Sequence, residues 1–113
     1  MPEATGTITT RDGLELFTRT WEPEGDPARS MLIFHGMGEH SGRFAHVARF
    51  FVDRGYAVSA FDLRGHGRSD GAKVHVDSFK DYVDDLQEAV DSGLARTDLP
   101  WVIYGHSLGG FIS

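Results

Sequence analysis

Three short apolar runs constrain this chain more than any other feature: Met31-Leu32-Ile33-Phe34, residues 56–61, and Trp101-Val102-Ile103-Tyr104. Runs without polar alternation suit strands covered on both faces, the situation of strands in a parallel sheet. Between the first two runs, Phe44, Val47, Ala48, Phe51 and Val52 recur at helical spacing, and Gly55 is the expected C′ residue of that helix. Between the second and third, Ser78 is the expected N-cap, with Asp81 three residues on. Phe79, Tyr82, Val83, Leu86, Ala89 and Val90 then form one helical stripe. Asp84, Asp85 and Glu88 fall on the other face and read as solvated surface rather than as a metal site. Upstream, residues 5–10 and 14–21 read as two strands joined at Arg11-Asp12-Gly13, because Asp-Gly supplies the positive φ angles of tight hairpins. Residues 22–29 hold two prolines and a glycine and read as a loop, and residues 63–76 read as a long loop rich in glycine and charge. The resulting order is a hairpin followed by β-α-β-α-β. That alternation predicts an α/β chain with a parallel sheet and helices on both faces.

Composition narrows the function classes. A net charge of −6 without a long run of like charge argues against a nucleic-acid or anionic-membrane partner. Cysteine is absent, so neither a disulfide nor a thiolate metal site is open to these residues, which fits a reducing, cytoplasmic setting. The first thirty residues carry no apolar core of a signal peptide, and no apolar stretch approaches the length of a membrane span. The histidines do not form H-E-x-x-H, and no Gly-Lys-Ser/Thr follows a glycine-rich turn, so zincin and P-loop chemistry are not expected.

The chemistry is concentrated where the apolar runs end. Gly105-His106-Ser107-Leu108-Gly109 fits G-x-S-x-G, directly after the third run and before a helix start. In that pattern the serine stands at the apex of a strained strand-to-helix turn, with its hydroxyl projected above the sheet. Small flanking residues are what such an apex needs, and the N–H of Leu108, at a helix N-terminus, is a candidate oxyanion donor. His106 points away from its neighbour and reads as structural. After the first run, His35-Gly36-Met37-Gly38 is a glycine-rich turn that can present the backbone N–H of Met37 as a second donor.

Three segments, HGMGEHSGRF from His35, DLRGHGRSDG from Asp62 and GHSLGG from Gly105, together resemble the monoacylglycerol lipase and lysophospholipase group of α/β-hydrolases. The resemblance covers nearly the whole chain. It implies a single partial domain over residues 1–113, the N-terminal part of an α/β-hydrolase sheet truncated after the nucleophile elbow. It also implies a serine hydrolase of carboxylic esters with Ser107 as nucleophile, Met37 and Leu108 as oxyanion N–H donors, a small-molecule or lipid ester as substrate, and no metal or cofactor.

The chain departs from that pattern at its end. Families of this fold run Ser, then Asp or Glu, then His, whereas the residues after Ser107 include neither an acid nor a histidine. Asp62 ends the strand expected on the far side of the first parallel strand from Ser107, and His35, His66 and Asp70 are expected to shape loops, so none replaces the missing acid and base. Two other readings stay open. One is a non-catalytic fragment, or half of a split enzyme completed by a C-terminal half, with the third apolar strand left as an exposed edge. The other is a dinucleotide-binding module. There Gly36, Gly38 and Gly42 would form a loose fingerprint, Asp62 would meet a ribose and Arg64 a 2′-phosphate.

Overall fold

A computed structural model describes residues 3–35, 40–70 and 79–105 of the chain. It contains one five-stranded sheet in the order β1-β2-β4-β3-β5. The strands are β1 (Glu3–Thr9), β2 (Glu15–Trp21), β3 (Arg29–Phe34), β4 (Tyr56–Phe61) and β5 (Trp101–Gly105), and the helices are α1 (Ala45–Val52) and α2 (Phe79–Asp91). β1 and β2 form the expected antiparallel hairpin, with Thr9 opposite Glu15. At its turn Gly13 takes φ 90°, and the Thr10 hydroxyl donates to Asp12. β2 then pairs antiparallel with β4, while β3 pairs parallel with β4 on one side and β5 on the other.

Strand alternation sorts the core into two layers. Leu32, Phe34 and Phe61 face one way, with Leu16 of β2 and with Tyr82 and Ala89 of α2. Met31, Ile33, Val58 and Ala60 face the other way, with Trp21 of β2 and with Ala48 and Val52 of α1. The helices therefore cover opposite faces, as the apolar runs of β3 and β4 predict. Leu32, Ile33 and Phe34 are fully buried, and each such side chain contributes about 1.5–3 kcal/mol of transfer free energy.

Four expectations need adjustment. A 3-10 turn over Ser41–Phe44 leads into α1, and Asp53 is its C-cap, so Gly55 (φ 87°) stands one place beyond C′. Val83, expected in the apolar stripe of α2, is exposed. Asp85, expected on the solvated face, is fully buried, because Arg64 reaches it from the loop after β4. β5 is not covered on both faces: Trp101, Val102 and Tyr104 are exposed, since among the described residues β3 is its only strand neighbour. The expected N-cap Ser78 and the side chain of Phe79 lie outside the described residues.

Candidate active site

In open parallel sheets, ligands are met at the carboxyl ends of the strands, where the chain leaves the sheet and turns. Here those ends are level. Phe34 at the end of β3 stands in register with Phe61 of β4 and with Gly105 of β5. The segments starting at His35, Asp62 and His106 therefore leave three adjacent strands at one height, with β3 in the middle. Ser107, Leu108 and Met37 belong to the outgoing segments and themselves lie outside the described residues.

What the described residues build is a scaffold around those departures. His35 is fully buried, and its Nε2 accepts a hydrogen bond from the Leu63 N–H at 2.8 Å. With Nε2 as acceptor, the ring proton belongs on Nδ1. Asp62 is buried as well. Its Oδ1 accepts from the Ser41 N–H at 2.6 Å and from the Ser41 hydroxyl, and its Oδ2 accepts from the Arg68 N–H at 3.0 Å. Ser41 Oγ in turn accepts from Arg19 Nε at 3.0 Å, and Arg19 pairs with Glu3. Gly67 (φ 49°) lies so close to Asp62 Oδ2 that a Cβ there would collide with the carboxylate.

The segment from Asp62 to Asp70 is held along the edge of β2. The Asp62 N–H donates to the Phe17 carbonyl at 2.8 Å, the Phe17 N–H to Ser69 Oγ at 2.8 Å, and the Asp70 N–H to the Glu15 carbonyl at 2.9 Å. The Glu15 N–H returns a bond to Asp70 Oδ2 at 3.1 Å. His66 Nδ1 bonds the Arg64 carbonyl, and its buried Nε2 has no partner among the described residues. His66 and Asp70 thus shape the loop, as expected, and Asp62 does so as well.

Arg64 joins this segment to the rest of the fold. Its guanidinium bonds Asp85 twice, at 2.7 and 2.8 Å, and Asp12 twice, at 2.9 and 3.0 Å, with Asp81 3.7 Å away. The Asp85 bonds raise the pKa of Arg64 further above its ordinary range, with burial opposing and Asp12 adding. Asp12 is pulled down to about 2, by the hydrogen bonds from Arg64 first and from Thr10 second. Burial pushes Asp85 up, and Arg64 works against it. Sequence reasoning missed this cluster. Its one local signal was an arginine directly after the strand-end Asp62-Leu63.

These partners remove two supports of the dinucleotide reading, while Gly36 and Gly38 of its fingerprint lie outside the described residues. Asp62 spends both carboxylate oxygens on Ser41 and Arg68, and Arg64 is committed to two aspartates. The three aspartates that converge are filled by a guanidinium. Among the described residues, no group of three or more acidic and histidine side chains has a metal-binding arrangement. A polar cleft lined by Thr20, Glu22, Ser30, Ser59 and Arg96 lies where β3 and β4 begin, at the opposite end of the sheet from the three departures.

Comparison with known proteins gives one consistent result. The model of a hydrolase family described as serine aminopeptidase, S33, matches residues 25–113. A monoacylglycerol lipase of Mycolicibacterium smegmatis is 41% identical over 88% of this chain and 36% of its own length. The human monoglyceride lipase is 41% identical over 90% of this chain and 34% of its own length. A thermostable carboxyl esterase from Bacillus coagulans, solved in complex with glycerol, superposes with a TM-score of 0.81. It is 26% identical over 99% of this chain and 38% of its own. The chain therefore spans about a third of the length of these three relatives, and its sheet is the N-terminal part of an α/β-hydrolase fold.

Proposed function

Since the chain belongs to the serine aminopeptidase S33 family of hydrolases, we propose that the whole protein is a serine hydrolase cleaving carboxylic esters of the monoacylglycerol or lysophospholipid kind. The observation that carries this reading is the level departure of β3 and β5. These adjacent parallel strands end in register at Phe34 and Gly105, directly before His35-Gly36-Met37-Gly38 and His106-Ser107-Leu108-Gly109. A nucleophile elbow and an oxyanion turn need that neighbourhood.

In this mechanism the Ser107 hydroxyl attacks the ester carbonyl. Its proton passes to a histidine oriented by an acid, and both come from outside residues 1–113. The N–H groups of Met37 and Leu108 hold the tetrahedral oxyanion, each lowering the barrier by about 3 kcal/mol. The alcohol leaves with the transferred proton, and water releases the acyl group from Ser107. No step uses a metal or cofactor.

The family description names a peptidase, while both curated relatives above are lipases. Their identity, 41% over most of this chain, favours ester substrates. The test is the longest natural chain carrying these residues, assayed on a monoacylglycerol, a lysophospholipid and an N-terminal aminoacyl amide. Ester turnover abolished by Ser107→Ala supports the reading. Faster amide turnover, or ester turnover that survives Ser107→Ala, refutes it.

A second reading applies to residues 1–113 as a separate polypeptide. The exposed apolar side chains of β5 favour completion by a C-terminal half that supplies the next strand together with the acid and base. Ester turnover appearing only when both halves are mixed supports it.

A further inference from the structure

The two ends of the segment that carries Met37 are held by neighbouring residues of one other segment. His35, the last described residue before it, accepts from the Leu63 N–H at 2.8 Å. Ser41, just after it, gives both its N–H and its hydroxyl to Asp62. The reason is register. β3 and β4 run parallel with Phe34 beside Phe61, so the chain leaving β3 starts level with Asp62 and Leu63. Neither anchor is exposed to water, and an anionic acceptor makes the Asp62 bonds the stronger of the two sets.

The carboxylate itself is fixed from the far side. Its Oδ2 accepts from the Arg68 N–H at 3.0 Å and is crowded by Gly67, where no Cβ fits. The backbone from Asp62 to Asp70 is in turn bonded to Glu15 and Phe17 of β2. Asp62 therefore has little freedom to turn, and what it holds is held in the frame of the sheet.

We infer that Asp62 is a positioning residue for the hydrolytic reaction: through Ser41, and with His35 as the second anchor, it sets where the segment bearing the Met37 N–H stands. The inference rests on the proposed role of that N–H as an oxyanion donor. An oxyanion donor acts only within narrow limits of distance, and removing one costs about 10²–10³ in kcat. A displacement of about 1 Å can cost about 10². Asp62→Asn should therefore act on the transition state while leaving the substrate's ground-state contacts alone. The amide cannot serve both sides, because its oxygen can receive only one of the two backbone N–H groups and its NH₂ faces the other.

The test uses the longest natural chain carrying these residues, with active sites counted by a fluorophosphonate that reacts with the serine nucleophile. Per titrated site, Asp62→Asn should lower kcat by about tenfold to a hundredfold with little change in KM. It should weaken a trifluoromethyl ketone, which becomes a tetrahedral oxyanion on the enzyme, by a similar factor. Ser41→Ala, which keeps the N–H bond and loses the hydroxyl bond, should fall between wild type and Asp62→Asn. A merely structural role would lower the number of titratable sites and leave kcat per site unchanged, and that result overturns the inference. Absence of fluorophosphonate labelling in the wild-type protein is a separate outcome: it overturns the hydrolase reading, and the inference with it. Should Asp62→Asn fail to fold, Ser41→Ala alone decides. Unchanged kcat per site and unchanged ketone affinity then overturn the inference.

Discussion

Arg64 meets Asp85 through two parallel contacts, Nε to Oδ2 at 2.7 Å and Nη2 to Oδ1 at 2.8 Å, between side chains that are 9% and 1% exposed. The pair ties the loop after β4 to α2, and Asp12 adds the β1–β2 turn to the same guanidinium. Removing Asp85 leaves the buried guanidinium with only the half-exposed Asp12 and the more distant Asp81 beside it. Asp85→Leu is expected to lower the unfolding free energy by about 3 kcal/mol, measured by urea denaturation. The double change Arg64→Met with Asp85→Leu is expected to recover part of that loss, because it removes both charges. A double variant less stable than Asp85→Leu would contradict this account.

Asp12 gives a pH dependence of defined sign. Its carboxyl is lowered from 3.8 to about 2, chiefly by the Arg64 hydrogen bonds, so the folded chain takes up this proton less readily than the unfolded chain. The stabilisation it provides is complete above the unfolded value and is lost as pH falls through the folded one. Its side chain is half exposed, and solvent screening keeps the effect small. Asp12→Asn should be less stable than wild type at pH 6, and the difference in midpoint should shrink between pH 4 and pH 2. Because burial shifts Asp85 in the opposite direction, the difference between the two proteins is the quantity to follow. A difference that widens on acidification would contradict the assignment.

The turn between β1 and β2 tests the hairpin directly. Gly13 sits at φ 90° with nothing within 4 Å of where a Cβ would stand, so a side chain there meets backbone strain rather than a clash. Gly13→Ala should destabilise by about 1 kcal/mol, and Gly13→Asn by less, since asparagine tolerates this region better. Equal effects of the two in thermal unfolding would argue that the cost lies elsewhere.

The edge at β5 predicts association of residues 1–113 made as a separate polypeptide. Val102 is 49% exposed on a strand whose only described neighbour is β3. Sedimentation should find that polypeptide in oligomers or aggregates, and Val102→Lys should raise the monomer fraction by placing a charge on the edge. A wild-type polypeptide already monomeric and melting cooperatively would contradict the prediction.

The parts of the fold legible in the sequence are those with local causes. Apolar runs marked β3 and β4, Asp12-Gly13 marked the hairpin, and the spacing of Phe44, Ala48 and Val52 marked α1. Asp85 was not legible, because its local pattern is that of a solvated helix face, and only the arrival of Arg64 across the fold makes its burial tolerable. The composition of Trp101-Val102-Ile103-Tyr104 reads as a covered strand, and its exposed edge was legible only through the resemblance, whose later strands lie outside residues 1–113. For the site, the glycine patterns follow directly on β3 and β5, two strands whose ends stand in register at Phe34 and Gly105. The hold of Asp62 on Ser41 depends on the register of β3 against β4, a tertiary fact. A strand-end aspartate alone reads equally well as a ribose ligand.

The central claim is that Ser107 is the nucleophile. The most direct measurement is to treat the longest natural chain carrying these residues with a fluorophosphonate and map the modified peptide by mass spectrometry. The account predicts a single phosphonylated residue, Ser107, with ester turnover lost in proportion to labelling. Label on a different residue, or turnover that persists with Ser107 fully modified, would contradict it.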